Sequence, residues 1–262
     1  MPLLSAGFMA RQDGRIEETL QGLEGGASLD EAVSGFDAKA FGERVVEYPY
    51  LLDWLRSQPT GLELLDVGCV LNKALLDARL ADRCAALWLC NPALEPLAVR
   101  ALPVYYHAAP LENAFSDGKA FPLVTCLSTL EHVGYDNSHY GEAVPARFTE
   151  PSTVPFVESF QSLARLLAPG GHLLVSFPFG QREVLYHPKS GKAYSQVMDC
   201  QAVEECLPAL DEAGVRARVE VFVATEAGWR RGSLEDDDVF YADGCPGAAA
   251  VAFIAGVKAS QL

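Results

Sequence analysis

The chain has 262 residues, with 35 acidic against 20 basic side chains, a formal net charge of −15 and half its residues apolar. That balance belongs to a folded globular chain. It opposes binding to nucleic acid or to an anionic membrane surface, both of which need clustered Lys and Arg that no stretch here supplies.

Residues 1–45, interrupted by Gly22, Gly25, Gly26 and Gly35, predict short helices forming an N-terminal appendage or cap; residues 46–262 predict one regular domain. The N-terminal MPLLSAGFMARQDGR lacks the basic start of a signal peptide. No apolar run approaches the roughly 20 residues of a membrane span. EYPYLLDWLRSQ predicts a helix ending before Pro59, and Leu62–Asp66 a short strand. A helix over Asn72–Ala81, a strand over Ala85–Cys90, a short helix over Ala93–Arg100 and a strand over Val104–His107 follow. Phe121–Ser128 is near-continuously apolar, as a strand covered on both faces is. The apolar stripe of Pro155–Leu167 predicts a helix stopped by Pro169-Gly170-Gly171, with a strand over His172–Phe177. A helix over Ala202–Ala213 and strands over Arg216–Ala224 and Ala248–Val257 complete the pattern.

Alternation of strand and helix points to an α/β sheet with parallel pairing. Two long connections, 133–154 and 178–200, leave the carboxyl ends of strands, where open α/β sheets bind ligands. The seven cysteines (Cys69, Cys84, Cys90, Cys126, Cys200, Cys206 and Cys245) form no C-x-x-C pair. They read as buried reduced thiols, which suits a cytoplasmic protein.

The first strand runs into Asp66-Val67-Gly68-Cys69-Val70-Leu71-Asn72. An acidic strand end, a tight glycine turn and a helix form a nucleotide-cofactor signature. Dinucleotide sites need further glycines so the backbone can approach a pyrophosphate. Val70 stands where a second would be, and there is no P-loop sequence. S-adenosylmethionine (SAM) carries no phosphate, so one glycine turn with polar acceptors suits it better. Asp66 has two readings: a cofactor residue, or a carboxylate at a helix N-terminus.

Leu64–Cys69, Phe121–Gly134 and Leu166–Pro178 resemble, in order, three motifs of class I SAM-dependent methyltransferases. More narrowly, Asp66–Leu71 with Ser128–Tyr135 look like methyltransferases of surface-polysaccharide or sugar pathways. The resemblance covers residues 46–262. It implies a Rossmann-like seven-stranded sheet in the order 3-2-1-4-5-7-6, strand 7 antiparallel, with helices on both faces. It implies an enzyme that transfers the methyl of SAM to an oxygen or nitrogen of a small molecule. The implied cofactor residues are Asp66, Gly68, Cys69, Asn91, Leu111, Glu112, Ser128, Leu130 and Glu131. The pattern is softened at three points. Val70 replaces a glycine. Asn91, with Glu95 four residues on, stands where an acidic residue usually binds the ribose. Where the family often has an Asp after the third strand, only Glu112 could serve. These departures keep open a non-catalytic Rossmann-like binding protein.

His132, Tyr135 and His139 are the candidate catalytic side chains, on and beside an aromatic, glycine-bounded lid. A histidine titrating near ~6.5 suits proton removal from a hydroxyl or amine. His132, His139 and His187 have no metal-ligand spacing, so no metal is expected.

Overall fold

The computed structural model describes residues 5–138 and 146–260. The chain enters through helix α1 (Ala6–Glu24), which is 19 residues long rather than a set of short pieces. Ser5 caps it, its Oγ accepting from the Phe8 amide, and Phe8, Ile16, Leu20 and Leu23 form a buried stripe. Each glycine inside a helix costs about 1 kcal/mol. Gly14 lies with open space around it, and the buried stripe outweighs the penalty.

A short α2 (Leu29–Ala32), closed by a Ser28–Glu31 capping box, leads to α3 (Arg44–Arg56). Helix α3 is buried on nearly every side, from Val45 through Leu52 and again at Trp54 and Leu55, and packs against α1. Glu47 is the acidic side chain in that buried run.

Strands β1 (Leu62–Val67), β2 (Cys84–Cys90), β3 (Val104–His107), β4 (Phe121–Leu127) and β5 (Leu167–Pro178) pair in parallel. Strand β10 (Ala250–Lys258) runs antiparallel between β5 and β8 (Val215–Thr225). The core order is therefore the expected one, with the last strand inserted antiparallel. The sheet has eight strands rather than seven, because β9 (Gly228–Gly232) pairs antiparallel with β8 at the edge. Gly228 permits this: its φ is +125°, and a Cβ there would lie 2.5 Å from the Ser34 backbone.

Alternate side chains serve opposite faces of the sheet. Leu64, Leu87, Leu123, Leu174 and Phe253 pack with α1 and α3. Leu65, Val124, Val175 and Ile254 pack with α5 (Val154–Leu166) and α6 (Cys200–Glu212). Two cores sharing one sheet explain the unbroken apolar strands. Helix α5 ends at Leu166 and β5 begins at Leu167, so Pro169-Gly170-Gly171 lies in the strand. A Cβ on Gly171 would meet the Ala168 and Phe121 carbonyls at 2.8 and 3.0 Å, and the β4–β5 register shifts beside it.

Three expectations need correction. Residues 93–100 are irregular rather than helical. Pro96 lacks an amide hydrogen, and side chains take the backbone groups a helix would use: Asn72 bonds Pro96 O and the Ala98 amide, and Asp77 bonds the Arg100 and Ala101 amides. The helix expected from Asn72 begins only at Asp77, as α4 (Asp77–Arg83), after a 3-10 turn. The connection 178–200 holds a separate antiparallel hairpin, β6 (Glu183–Tyr186) and β7 (Ala193–Val197).

Candidate functional site

A cleft with a cavity volume of about 250 Å³ opens at the carboxyl ends of β1, β2 and β4. In the strand order, β1 and β4 are neighbours whose connections run to opposite sides of the sheet, so this is the topological switch point.

The floor is backbone. Gly68 follows β1 at φ +102°, Cys69 at +57°, and the Gly68 amide donates to Cys90 O at 2.9 Å. A Cβ on Gly68 would lie 2.1 Å from Thr129 Oγ1, so the glycine is required by the packing of the turn itself, whatever the cleft holds. Ser128 also has a positive φ, +36°, at the end of β4, and a strained backbone of this kind persists only where its surroundings hold it. They do: Ser128 Oγ donates to Glu47 Oε1 at 2.6 Å.

Gly68, Asn91, Leu111, Glu112, Ser128 and Leu130 all line the cleft. Three other expected cofactor residues do not line it. Asp66 is fully buried beneath the turn, with Oδ2 accepting from the Leu71 amide at 2.8 Å and Oδ1 from Thr125 Oγ1 at 3.2 Å. Burial pushes its carboxyl up to about 7. Cys69 is buried with its Sγ 3.3 Å from Tyr106 Oη, and burial raises its thiol. Glu131 is buried in the 3-10 turn Leu130–His132, behind the wall.

The sequence pattern led to the end of β2. Asn91 stands there, its Nδ2 spent on Ala93 O at 3.0 Å. Exposed Glu95 lines the same edge of the cleft.

The other half of the cleft is made of side chains. His132 and Tyr135 both line it, while His139 lies outside the described residues. Tyr135 is buried, with its hydroxyl donating to Glu150 O at 3.0 Å and its pKa pushed up to about 12 by burial. His132 Nδ1 lies 2.8 Å from Tyr194 O on β7. A carbonyl only accepts, so Nδ1 carries the proton and Nε2 is the basic nitrogen of the neutral ring. The hairpin also holds the neighbouring loops. The Asp136 amide donates to Ala193 O, Lys192 pairs with Asp136 at 2.5 Å, and Gln196 exchanges two hydrogen bonds with Ser152.

Sequence reasoning missed Arg44 and Glu47. Arg44 lines the cleft and pairs with Glu47, whose Oε1 also accepts from Ser176 Oγ at 2.5 Å. The available signal was an acidic residue inside Val45-Val46-Glu47-Tyr48, a helix stretch with no polar face.

Glycine backbone, a guanidinium, apolar walls at Val67, Leu111 and Leu130, and carboxylates at Glu95 and Glu112 together suit a ligand with a planar apolar part, hydroxyls, a carboxylate and a positive charge. SAM has these features. The residues present fit it.

No family model matches the chain, and no curated protein matches it. Among solved structures it is similar to the N-methyltransferase NodS from Bradyrhizobium japonicum WM9, in complex with S-adenosyl-l-homocysteine: 16% identity over 92% of this chain and 98% of that one, TM-score 0.46. It is similar to SAM-bound CalS10, an amino pentose methyltransferase from Micromonospora echinaspora, at 16% identity over 91% and 95% of the two chains, TM-score 0.47. It is also similar to the [4+2]-cyclase SpnF, at 13% identity over 97% and 94%, TM-score 0.49. These are likenesses of fold, and no residue's role is carried over from them.

Proposed function

We propose that the protein is a SAM-dependent methyltransferase acting on an oxygen or nitrogen of a small molecule, such as a sugar or pathway intermediate. The observation that carries this reading is the position and lining of the cleft: it sits at the switch point of a 3-2-1-4-5 parallel core and has a glycine-turn floor and acidic rim.

In this reading Asn91, Glu95, Leu111 and Glu112 hold the adenosyl part, and Gly68, Ser128, Leu130 and Arg44 the amino-acid part. Asp66 and Cys69 shape the turn from below. When bound, the cofactor supplies an electrophilic methyl group. The chain's own work is alignment and exclusion of water, and alignment alone is worth up to roughly 7–11 kcal/mol in favourable cases. His132 Nε2 takes the acceptor's proton, and Tyr135 shapes the acceptor side. His139 is kept as a candidate on sequence grounds.

Residues 1–45 act as a cap, with Arg44 closing one end of the cleft. The charge of −15 opposes a nucleic-acid partner. The cysteines are unpaired and all but Cys200 are buried, which supports a reducing, cytoplasmic setting.

The deciding measurement is calorimetric titration with SAM and with S-adenosylhomocysteine. Micromolar binding of both is expected, and no heat at millimolar ligand rejects the reading.

A further inference from the structure

Two glutamates near the cleft are treated very differently by the fold. Glu47 is buried and richly supplied, with Ser128, Ser176 and Arg44 on its carboxylate. Glu131 is equally buried, at 2% exposure, yet its Oε2 has no hydrogen-bond partner among the described residues. The carboxylate has its own backbone amide as a donor, but a buried oxygen left without one is costly, and a group that only stabilised the fold would have both oxygens supplied.

Among the described residues, the basic side chain within ion-pair distance of Glu131 is His132, whose Nε2 lies 4.0 Å from Oε1. The same imidazole is fixed from its far side, through Nδ1, by Tyr194 O. Its basic nitrogen is therefore turned toward both the carboxylate and the cleft it lines.

Resting on the methyl-transfer reading above, we propose that Glu131 is a positioning residue for His132: its carboxylate holds the imidazolium formed when Nε2 takes the acceptor's proton, so the acceptor is a proton-bearing nucleophile, a hydroxyl or an amine. For a hydroxyl, the oxygen gains its bond to the methyl carbon, the sulfur keeps the electron pair of the bond it loses, and the proton ends on Nε2. The ion pair so made sits in a buried wall, where an opposite charge counts for more than in water.

Among the described residues, several charged and titratable groups face this pair. Helix α3 presents Arg44 and Glu47, and the residue before it, Glu43; β7 presents Tyr194; β4 presents Cys126. Burial pushes the Glu131 carboxyl well up, and Glu47 and Glu43 push the same way against Arg44. A positive imidazolium next to Glu131 relieves that stress. Protonation of the two groups is therefore linked, and the pair titrates as a unit.

The test uses the full ligand-free chain. Imidazole nitrogen shifts are followed by NMR across pH in the wild type and in Glu131→Gln, with His132→Gln assigning the signal. The expected result is a His132 midpoint lower by about one unit or more in Glu131→Gln, with Glu131→Asp recovering part of the shift. A midpoint unchanged in Glu131→Gln overturns the proposal, even if SAM binds. Should Glu131→Gln fail to fold, the comparison of Glu131→Asp with wild type decides in the same sense. Where SAM binds, the acid limb of log kcat should move down in pH with the NMR midpoint in Glu131→Gln; a fixed limb also overturns the role. Absence of SAM binding with a lowered midpoint removes the methyl-transfer reading and leaves the pair.

Discussion

The two halves of the cleft are built by opposite means. The half around Gly68 is a strand end and a turn, held by the Gly68–Cys90 backbone bond and by Asp66 beneath. The half around His132 is assembled from α3, the 3-10 turn and the β6–β7 hairpin. Its ties run from Glu47 to Ser128 and from His132 to Tyr194, across 81 and 62 residues of chain. A site of the first kind is fixed by local backbone and fails locally. One of the second kind depends on distant side chains and fails when any tie is cut.

The sharpest way to break that contrast is at Glu47. Glu47→Ala leaves Arg44 without its partner and two buried serine hydroxyls without their acceptor. Removing one member of a buried ion pair typically destabilises by about 3–5 kcal/mol, and because Arg44 keeps 24% of its side chain exposed the loss should lie at the lower end of that range. The urea midpoint should fall accordingly, and Glu47→Gln, which keeps an acceptor, should fall less. Equal, small losses in both would show that the α3 tie is not what holds the second half.

The first half is tested at Gly68. Gly68→Ala sets a side chain at φ +102° and drives its Cβ into Thr129. Backbone strain of this kind costs about 1–3 kcal/mol. The melting temperature should drop, and SAM affinity should fall more than tenfold. Adding Thr129→Gly removes the clash but not the strained φ, so it should restore part of the stability. If the double variant is no better than the single, backbone strain alone accounts for the glycine.

This division also explains what the sequence could tell. The parallel core was legible because strands buried on both faces read as unbroken apolar runs, as in Phe121–Leu127. Strand β9 was not: Gly228-Trp229-Arg230-Arg231-Gly232 has no alternation, and its place depends on the close approach of Ser34. Residues 93–100 have helix-like spacing, but only the structure shows Asn72 and Asp77 taking their backbone groups. At the site, motif spacing pointed to the strand ends, and Gly68, Asn91 and Ser128 there line the cleft. Arg44 was passed over because no local pattern links α3 to Ser128 and Ser176, which lie 81 and 129 residues from Glu47. The motif also led to Asp66, Cys69 and Glu131, because spacing places a residue near a turn without saying which side of the wall it occupies.

Asp66 gives a pH-dependent test of that last point. Its carboxyl is raised from 3.8 to about 7 by burial. The folded chain therefore keeps a proton that the unfolded chain releases. The stabilisation is full below about pH 4 and is lost as pH rises toward 7. Asp66→Asn keeps the acceptor for the Leu71 amide and cannot ionise. Relative to wild type it should gain stability on going from pH 4 to pH 8, by more than about 1 kcal/mol. Parallel stability curves for the two proteins would mean that Asp66 ionises as readily folded as unfolded, which its burial beneath the turn opposes.

The smallest effect is expected where the cleft meets solvent. Arg147 Nη1 pairs with Glu158 Oε2 at 2.8 Å, and both side chains are about half exposed. The geometry is bidentate, with Nη2 also 3.2 Å from Oε1, and both residues line the cleft. Exposed pairs nonetheless contribute little, because water and salt screen them and ordering two long side chains carries an entropic cost. Arg147→Gln should leave the melting temperature essentially unchanged, in contrast to Glu47→Ala. Its effect on ligand should be equally mild, a weakening of SAM binding by less than about threefold that fades as salt is raised, since screening removes rim charges first. A large loss of affinity that persists in high salt would place Arg147 in direct contact with the ligand. The rim would then belong with the second half of the cleft, held by side chains whose removal is felt at the centre.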